Sequence, residues 1–396
     1  MKRFDFAVIG GGPAGASAAR RLAIAGASVA MFERRAMPRF KPCGGALSRQ
    51  AMSWLDFPVP DRLINRRVFG IRVHVGGAVV EAREARRVAV LVSRAPFDHY
   101  LVSKAEEAGA AILWREVRSL EVGPDGATVS TSDDRLAVRC TIVCEGANRR
   151  LGRAVAGRDP PGGRGFCLQA EIPAADPDSY ADLGGLLDIY FAAVGYGYGW
   201  VFHHGSHYNV GVGSPCSMFD APLETFRQFV AARGLRLDGV RTWGHFLPSG
   251  GLARRVAGDR VLLAGDAAGF VDPFQGEGLA YAIRSGQLAA ETVLEAARTG
   301  DFSRAGLASY EDACYREFGR DLVSSRRLMR IMHGWPSVFI NGVLTEPPVV
   351  RRFLEIAAGR SSYRRFLGWL LLRAPWFWLH SRLSARQRRA QARETP

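Results

Sequence analysis

The N-terminal segment alternates between apolar runs and a run with helical periodicity. Residues 4–9, FDFAVI, are mostly apolar and predict a buried strand. The glycine-rich stretch GGGPAG follows, and the apolar spacing of ASAARRLAIAG then predicts a helix. The next apolar run, SVAMFER, predicts a strand that ends at Glu33. This order predicts a strand–turn–helix–strand unit of the length found in dinucleotide-binding folds.

The rest of the chain divides into strand-rich and helical stretches. Apolar and polar residues alternate over RVFGIRVHVGGAVVEA, which predicts short strands, whereas SRAPFDHYLVSKAEEAGA predicts a helix. Strands are predicted from residue 114 to 147, with PDG as a hairpin turn, and again from about residue 166 to 246. A buried strand, a glycine turn and a long helix follow, and the chain from about residue 301 is predicted to be mostly helical.

Composition favours a globular chain of two or three domains in a reducing compartment. The 396 residues are 47% hydrophobic, which is enough to bury a large core. The six cysteines are scattered, and the N-terminus enters a strand without a signal-peptide pattern. We therefore expect free thiols and a cytoplasmic location. We predict no metal site, because alternation along a strand would separate His203, His204 and His207.

The turn after the first strand carries a dinucleotide-binding signature. Gly10, Gly12 and Gly15 match G-x-G-x-x-G. In that pattern the first glycine permits a tight turn, the second lets the backbone approach a pyrophosphate, and the third lets helix and strand pack closely. The helix N-terminus supplies amide donors, and Glu33 can accept hydrogen bonds from ribose hydroxyls. The alternative interpretation is a purely structural glycine turn.

The glycine pattern alone does not indicate whether the cofactor is FAD or NAD, but a second segment does. In VLLAGDAAGFVDPFQGEGLAYAIRSG, Gly265 and Asp266 end a predicted strand, and Asp266 can hold the ribityl chain of a flavin. Residues 276–278, GEG, open the following helix, whose amides can face the electron-rich end of the isoalloxazine ring. Arg94 at a helix start and the Glu145-Gly146 pair after a strand lie between the two motifs.

These signals in this order favour FAD as the cofactor. We predict that the following residues bind it: Gly10, Gly12, Pro13, Ala14, Gly15, Glu33, Arg34, Cys43, Gly44, Gly45, Ala46, Arg94, Glu145, Gly146, Gly265, Asp266, Pro273, Gly276, Gly278 and Leu279. The sequence contains no second G-x-G-x-x-G for a nicotinamide donor. The reductant is therefore left open between NAD(P)H and ferredoxin or another electron-donor protein.

These motifs resemble the flavoprotein family with the fold of p-hydroxybenzoate hydroxylase, and within it the geranylgeranyl reductases, which saturate isoprenoid double bonds. PCGGALS resembles the cysteine-glycine-glycine loop of that family, which the resemblance implies lies beside the flavin. YGYGWVFH resembles its aromatic motif PxxYxWxFP, and GDAAGFVDPFQGEGLAYAIRSGQLAA resembles its second flavin motif. The resemblance covers roughly the first 320 residues.

The chain departs from the family pattern at three positions. Gly195 and His203 stand where the aromatic motif has prolines, and Glu145 stands where the Asp-Gly motif has aspartate. These departures affect the details of the substrate pocket. YGWVF also resembles the WxWxIP stretch of flavin-dependent halogenases, in which Trp200 matches the second tryptophan and Tyr198 replaces the first.

Cys43 is the candidate proton donor. Saturating an unpolarised double bond requires hydride from reduced flavin at one carbon and a proton at the other, in a dry pocket. A thiol with a pKa near about 8.5 can donate that proton, and apolar surroundings keep it protonated. The alternative is a small thiol that only packs. We predict Cys43, Tyr198 and Trp200 as catalytic residues.

The aromatic motif predicts a wall in the same pocket. Tyr198, Trp200 and Phe202 recur at period two, so all three side chains share one face of a strand. Such a wall could guide a long apolar chain toward the flavin. The alternative interpretation is ordinary core packing.

The C-terminal tail combines apolar, aromatic and basic residues. Net charge is +15, and residues 349–396 contain eleven arginines against two glutamates. FLGWLLLRAPWFWL, residues 366–379, is shorter than a span of about 20 residues and contains Arg373 and Pro375. Its tryptophans interleave with Arg364, Arg365, Arg373 and Arg382. An interfacial helix on anionic lipid and a helix docked on the protein core both fit, whereas no recognition motif supports nucleic acid.

The predicted fold is α/β with two domains (α+β), in which an antiparallel sheet is inserted into a Rossmann-like unit. The FAD-binding domain comprises residues 1–70, 93–165 and 255–320, and a β-rich substrate domain comprises residues 71–92 and 166–254. Residues 321–396 form a helical C-terminal region. The predicted activity is FAD-dependent saturation of C=C bonds in a polyprenyl lipid or prenylated metabolite, at the inner face of the cell membrane. The alternatives are a flavin monooxygenase or halogenase and an electron-transfer flavoprotein.

Overall fold

The computed structural model describes residues 4–75, 77–157, 163–174, 185–191, 193–248 and 255–394, with side chains described as far as Trp378 in the last helix. Arg382 of the predicted basic tail therefore lies outside the described side chains.

All the strands of the described chain lie in its first two thirds. In chain order they are β1 (Phe6–Ile9), β2 (Val29–Phe32), β3 (Ala46–Ser48), β4 (Arg66–Val68), β5 (Gly70–Val75), β6 (Ala78–Arg83), β7 (Ala89–Leu91), β8 (Ala111–Leu113), β9 (Ser119–Val122), β10 (Ala127–Ser130), β11 (Arg135–Val138), β12 (Cys140–Val143), β13 (Arg164–Pro173), β14 (Leu186–Phe191), β15 (Tyr198–His203), β16 (His207–Pro215), β17 (Thr242–Pro248), β18 (Ala257–Gly258) and β19 (Val261–Leu263).

Helices flank the sheets and form the C-terminal third. In chain order they are α1 (Pro13–Ile24), α2 (Arg49–Ser53), α3 (Arg94–Glu107), α4 (Arg153–Ala156), α5 (Pro222–Ala231), α6 (Leu279–Thr299), α7 (Ser309–Cys314), α8 (Arg320–Gly334), α9 (Pro336–Val338), α10 (Pro347–Ala357) and α11 (Tyr363–Glu394). A π-helical turn, Tyr315–Gly319, joins α7 to α8 without a break.

A six-stranded sheet forms the centre of the first layer, in the order β18-β19-β12-β1-β2-β8. Every pairing in it is parallel except that of β18 with β19. All residues of β1, β2 and β12 are buried, as expected for parallel strands covered by helices on both faces. Because parallel strands end at the same edge, the turns after β1, β2, β12 and β19 converge there.

A seven-stranded sheet forms the second layer, in the order β17-β13-β16-β15-β14-β5-β6. Its strands pair antiparallel except for β14 with β5. Paired residues of neighbouring strands direct their side chains to the same face, so the register decides which side chains share a surface.

Two smaller sheets complete the β structure. The order β11-β10-β9 includes the predicted PDG hairpin, closed by a hydrogen bond from the Gly123 amide to the Gly126 carbonyl. The order β3-β7-β4 connects the segment after Cys43 to β7. Within residues 71–92, β5 and β6 therefore join the seven-stranded sheet, whereas β7 joins another one. The proposed domain boundaries stay a prediction.

The C-terminal region is helical, as predicted, and belongs to the folded body of the protein. Buried side chains of α10 and α11, including Phe353, Leu354 and Phe366, form one apolar cluster with β5 and β6. The side chain of Tyr363 is fully buried, and its ring packs against Phe274 with ring centroids 6.4 Å apart, which ties the start of α11 to the loop before α6. The α/β fold class predicted from the sequence is confirmed.

Candidate functional site

The glycine turn after β1 has the geometry that its motif predicts. Gly10 has a φ of 110°, and a Cβ atom there would lie 2.3 Å from the carbonyl oxygen of Cys144. A Cβ atom on Gly15 would lie 1.8 Å from the Gly10 carbonyl oxygen, so only glycine lets α1 pack this close to the turn. At Gly12 the nearest atom to a built Cβ is 3.8 Å away, which leaves space beside the N-terminus of α1.

Glu33 stands directly after β2, where its carboxylate orders the loops around it. The buried carboxylate accepts hydrogen bonds from the amides of Gly11 at 2.9 Å and Arg35 at 3.0 Å. The guanidinium of Arg39 lies 3.4 Å from the same carboxylate. Both carboxylate oxygens are thus oriented at the edge of the cavity described below.

Arg94 and Glu145 are held by neighbouring groups at the same edge. The fully buried Asp98 carboxylate accepts two hydrogen bonds from Arg94, at 2.7 and 2.8 Å. Burial alone would lower the pKa of Arg94, but the charges and hydrogen bonds of Asp98 and Cys43 together raise the pKa above its ordinary value. One carboxylate oxygen of Glu145 accepts hydrogen bonds from the amides of Leu151 and Gly152, so this side chain stabilises the turn after β12.

The loop with Cys43 lies against the aromatic strand β15. A Cβ atom on Gly44 would lie 2.9 Å from the ring of Phe202 and 3.6 Å from the indole nitrogen of Trp200. The Cys43 thiol is free and half-buried, and Arg94 interacts with its sulfur. The surroundings of this thiol therefore include a charged guanidinium, whereas the sequence predicted apolar surroundings.

The aromatic wall forms as the period-two spacing predicts. The ring centroids of Tyr198 and Trp200 are 6.1 Å apart, and those of Trp200 and Phe202 are 6.4 Å apart. All three rings line one cavity. The Tyr198 hydroxyl donates to the carbonyl of Gln275 at 2.5 Å, so the wall also touches the loop before α6.

A buried Lys–His pair is a feature of the site that the sequence analysis missed. The Nζ of Lys41 lies 2.6 Å from Nε2 of His245, and both side chains line the cavity. Burial lowers the pKa of Lys41 to about 8, while Asp266 counteracts this shift. Burial and the charge of Lys41 also lower the pKa of His245. Both lowered pKa values fit a neutral His245 whose Nε2 accepts a hydrogen bond from Nζ of Lys41.

Glu277, between the two glycines of the GEG segment, was also missed. Its carboxylate accepts a hydrogen bond of 2.6 Å from the hydroxyl of Ser48, the last residue of β3. Burial raises the pKa of Glu277 to about 7; the Ser48 bond opposes this rise and Asp272 adds to it. The sequence signal for Glu277 was its position within the GEG segment. A carboxyl group in a flavin-binding turn is an ionisable group close to the reacting part of the cofactor.

A single cavity of about 600 Å³ connects these groups. Most of the residues predicted to bind the cofactor or to act in catalysis line it: Gly10, Gly12, Pro13, Ala14, Glu33, Arg34, Cys43, Gly44, Gly45, Ala46, Arg94, Glu145, Gly146, Tyr198, Trp200, Asp266, Gly276, Gly278 and Leu279. Gly15, Gly265 and Pro273 are not among its lining residues. Gly15 packs under the turn, and the Gly265 amide donates to the Ser285 hydroxyl.

The face of the seven-stranded sheet inside the cavity changes from polar to apolar. On β17 and β13 it presents His245 and Gln169, and the buried amide nitrogen of Gln169 has no hydrogen-bond partner among the described residues. The aromatic wall of β15 lies beyond β16 in the strand order. On β14 and β5 the lining is aliphatic or aromatic, and α10 closes this end: Ile71, Val73, Leu187, Ile189, Phe191, Phe353 and Leu354.

The residues at the polar end fit FAD. The open space over Gly12, beside the N-terminus of α1, suits a pyrophosphate, because helix amides donate to anionic oxygens there. The Glu33 carboxylate is oriented for a ribose, and Asp266 lines the same cavity next to the α6 N-terminus. Gly276, Gly278 and Leu279 surround that terminus.

Comparison with known proteins agrees with this fit. The family model described as an FAD binding domain matches residues 3–155 and 235–325. The chain is 30% identical over 319 residues to the chloroplastic geranylgeranyl diphosphate reductase of Arabidopsis thaliana, covering 76% of this chain and 67% of that protein. It is 27% identical over 344 residues to digeranylgeranylglycerophospholipid reductase 2 of Methanosphaera stadtmanae, covering 81% and 85%.

Solved structures share the fold. A geranylgeranyl bacteriochlorophyll reductase-like protein of Thermoplasma acidophilum has a TM-score of 0.78 at 22% identity, covering 95% of this chain and 98% of that one. A flavin-dependent brominase has a TM-score of 0.73 at 18% identity, covering 94% and 100%. The chain binds FAD and is an oxidoreductase. It belongs to the geranylgeranyl reductase family of FAD-dependent enzymes.

Proposed function

We propose that the enzyme saturates carbon–carbon double bonds in the polyprenyl chain of a lipid or prenylated metabolite. The observation that carries this proposal is the graded cavity, in which the FAD motifs and Cys43 share one enclosure with an apolar end. A hydrocarbon chain would gain roughly 25 cal/mol for each Å² of surface that it buries there. The names of the relatives given above support the same substrate class.

The polarity of the sheet suggests how such a substrate lies. Its polar head would face Gln169 and the Lys41–His245 pair, where donors can meet an oxygen acceptor. Its tail would pass the rings of β15 and end against Phe353 and the rest of α10. A chain in this direction brings a double bond to the segment of the cavity that Cys43 lines.

In the proposed mechanism, bound FAD in its reduced form supplies a hydride, and the protein supplies the proton. The Cys43 thiol holds that proton on Sγ and transfers it to the second alkene carbon. Arg94 then stabilises the negative charge that remains on the sulfur, because its guanidinium interacts with that atom and stays charged. Tyr198, Trp200 and Phe202 exclude water from the reacting carbons, which favours proton transfer from the thiol alone.

The surface of α11 supports a peripheral position on a membrane. Within the described part of the chain, no helix is long and apolar enough to cross a bilayer. The side chains of Leu371, Leu372, Trp376 and Trp378 are nevertheless exposed on one face of α11. Aromatic and aliphatic side chains next to arginines suit the headgroup layer of anionic lipid. An enzyme resting there could take a lipid substrate from the bilayer.

An anaerobic single-turnover experiment tests the activity. The purified holoenzyme is reduced with dithionite and mixed with a geranylgeranyl compound, and the product is weighed by mass spectrometry. We expect reoxidation of the flavin and a gain of two hydrogens for each bond reduced. Cys43→Ala should slow this reoxidation by roughly 100-fold, while Cys216→Ser, which alters an exposed thiol, should not.

The alternative activities give different results in the same assay. An unchanged substrate mass, together with NADPH consumption and hydroxylated or halogenated product in air, would replace the reductase by a monooxygenase or halogenase. Flavin oxidation by a quinone with no alkene product would indicate an electron-transfer flavoprotein. Repeating the turnover with NADPH and with reduced ferredoxin in place of dithionite identifies the electron donor.

A further inference from the structure

Three consecutive carbonyl groups of the loop that carries Cys43 are anchored from outside the loop. The Cys43 carbonyl accepts a hydrogen bond of 3.0 Å from the side-chain amide of Asn209. The Gly44 carbonyl lies 3.1 Å from Nε2 of His204. The Gly45 carbonyl accepts from the amide of Val92 at 2.9 Å. Fixing the peptide plane after Cys43 restricts the direction of its Cα–Cβ bond, and the hydrogen bond of 3.4 Å from the Gly45 amide to Sγ restrains the rotamer that places the sulfur.

Asn209 is itself oriented by the aromatic wall. The indole Nε1–H of Trp200 donates to the side-chain oxygen of Asn209 at 2.8 Å. This bond leaves the amide nitrogen of Asn209 directed at the Cys43 carbonyl. Both Trp200 and Asn209 are more than nine-tenths buried, so water does not compete for these bonds. The wall therefore acts on the cysteine loop through one hydrogen-bonded chain.

His204 is fixed in one tautomer by its other neighbour. The amide nitrogen of Asn65 donates to the Ser93 hydroxyl at 2.8 Å and lies 2.9 Å from Nδ1 of His204. Since that nitrogen is a donor, Nδ1 accepts, and Nε2 carries the proton that is donated to the Gly44 carbonyl. Burial lowers the pKa of His204 to about 4, so the ring stays neutral at physiological pH.

We propose that Asn209 and His204 are positioning residues that hold the Cys43 thiol toward the reacting carbons, with Trp200 acting through Asn209. This inference rests on the proposed function for its catalytic consequence, but the orientation of the thiol can be measured independently. Gly45 supports the same geometry, since its φ of 74° and the 2.3 Å approach of the Val92 oxygen to a built Cβ exclude a side chain there.

Two readouts test the proposal on the holoenzyme. The first is the rate at which iodoacetamide alkylates Cys43, followed by peptide mass spectrometry. The second is the dithionite-reduced turnover described above, separated into substrate affinity and rate constant. Asn209→Ala should free the loop, so we expect Cys43 alkylation to quicken at least about threefold. The turnover rate constant should fall about tenfold while substrate affinity changes little, because the thiol is misplaced but still present.

Conservative variants separate positioning from general damage. Trp200→Phe keeps a ring but removes the N–H donor, and it should reproduce the effects of Asn209→Ala. The double variant should be no worse than Asn209→Ala, since both act through one chain. His204→Ala should behave similarly, whereas His204→Gln, which retains an N–H donor, should recover much of the wild-type behaviour. Thr292→Val removes a buried hydroxyl bond on α6 and serves as the matched control.

The outcomes distinguish this proposal from the proposed function. If wild-type flavin is not reoxidised by the alkene, the proposed function fails, and the alkylation rates still decide on the positioning residues. If Asn209→Ala, His204→Ala and Trp200→Phe alkylate at the wild-type rate, the positioning role is overturned. If Asn209→Ala does not fold, Trp200→Phe carries the test, because it keeps an aromatic ring in the wall.

Discussion

At the scale of single residues, Glu277 is an ionisable group whose pKa the protein raises to near neutral pH. Its carboxyl group is held by Ser48, and its pKa is raised by burial to about 7 from an ordinary value of 4.5. The folded protein therefore keeps this proton up to about pH 7, whereas the unfolded chain releases it near pH 4.5. The stability that this group contributes is fully present below pH 4.5 and is lost as pH rises toward 7.

We expect Glu277→Gln to remove this pH dependence. Relative to wild type, the variant should gain unfolding free energy as pH rises from 5 to 8, by up to about 3 kcal/mol. Urea unfolding of both proteins at equal flavin content, at pH 5, 6, 7 and 8, measures the difference. Glu295→Gln changes an exposed glutamate of α6, the helix that follows Glu277, and should give no such trend. A constant difference between Glu277→Gln and wild type would contradict the raised pKa.

Residues that belong to a local sequence motif could be predicted as candidates for the site. Residues whose hydrogen-bond partner is distant in the chain could not. Cys43 stood out because of its glycine neighbours, and in the structure it is one of the residues that line the cavity. Asn209 lies 166 positions from the residue whose carbonyl it holds, and Lys41 lies 204 positions from His245. No local pattern marks such pairs, since they are created by the packing of the cysteine loop on the seven-stranded sheet.

At the scale of elements, the contact between the glycine turn and α1 is the tightest constraint. We expect Gly15→Ala to destabilise the protein by about 3 kcal/mol or more and to yield protein with little flavin, because its Cβ would overlap the Gly10 carbonyl. Thermal unfolding and the flavin absorbance of the purified protein measure both effects. Gly368→Ala is the matched control within a helix, since among the described atoms only those of its own helical backbone and chain neighbours can lie within 4 Å of a Cβ built there. That variant should gain about 0.5 kcal/mol; equal behaviour of the two would refute the packing argument.

The elements that could be predicted from the sequence have a clear hydrophobic periodicity or begin directly after a glycine-rich turn. β1, α1 and β2 follow the predicted order, and α6 begins at Leu279, directly after the GEG segment. The assignment of residues 71–92 to one domain stays a prediction; their strands join two sheets, since β7 pairs with β3 and β4 rather than with β6. Strand pairing depends on which faces must be buried together, and the alternation within one strand does not contain that information.

At the scale of the whole molecule, the C-terminal helices pack on the rest of the protein and also close one end of the cavity. The sequence left open whether the apolar segment 366–379 docks on the protein or lies on lipid. In the structure one face of α11 is buried through Phe366, Leu370 and Phe377, while Leu372 on another face is 83% exposed. The two interpretations are therefore compatible, because they concern different sides of one helix. α10 also closes the apolar end of the cavity, a role that its sequence did not indicate.

The exposed face of α11 predicts binding to anionic membranes. Leu372→Asp should weaken binding to phosphatidylglycerol vesicles at least about tenfold, since it removes an apolar contact and adds a like charge. Vesicle sedimentation at low salt measures the bound fraction. Leu223→Asp changes an exposed leucine on α5 and should bind as wild type does. If wild-type protein does not bind these vesicles, or if both variants bind equally well, then α11 does not contact a lipid surface. The substrate would then have to reach the cavity without the bilayer.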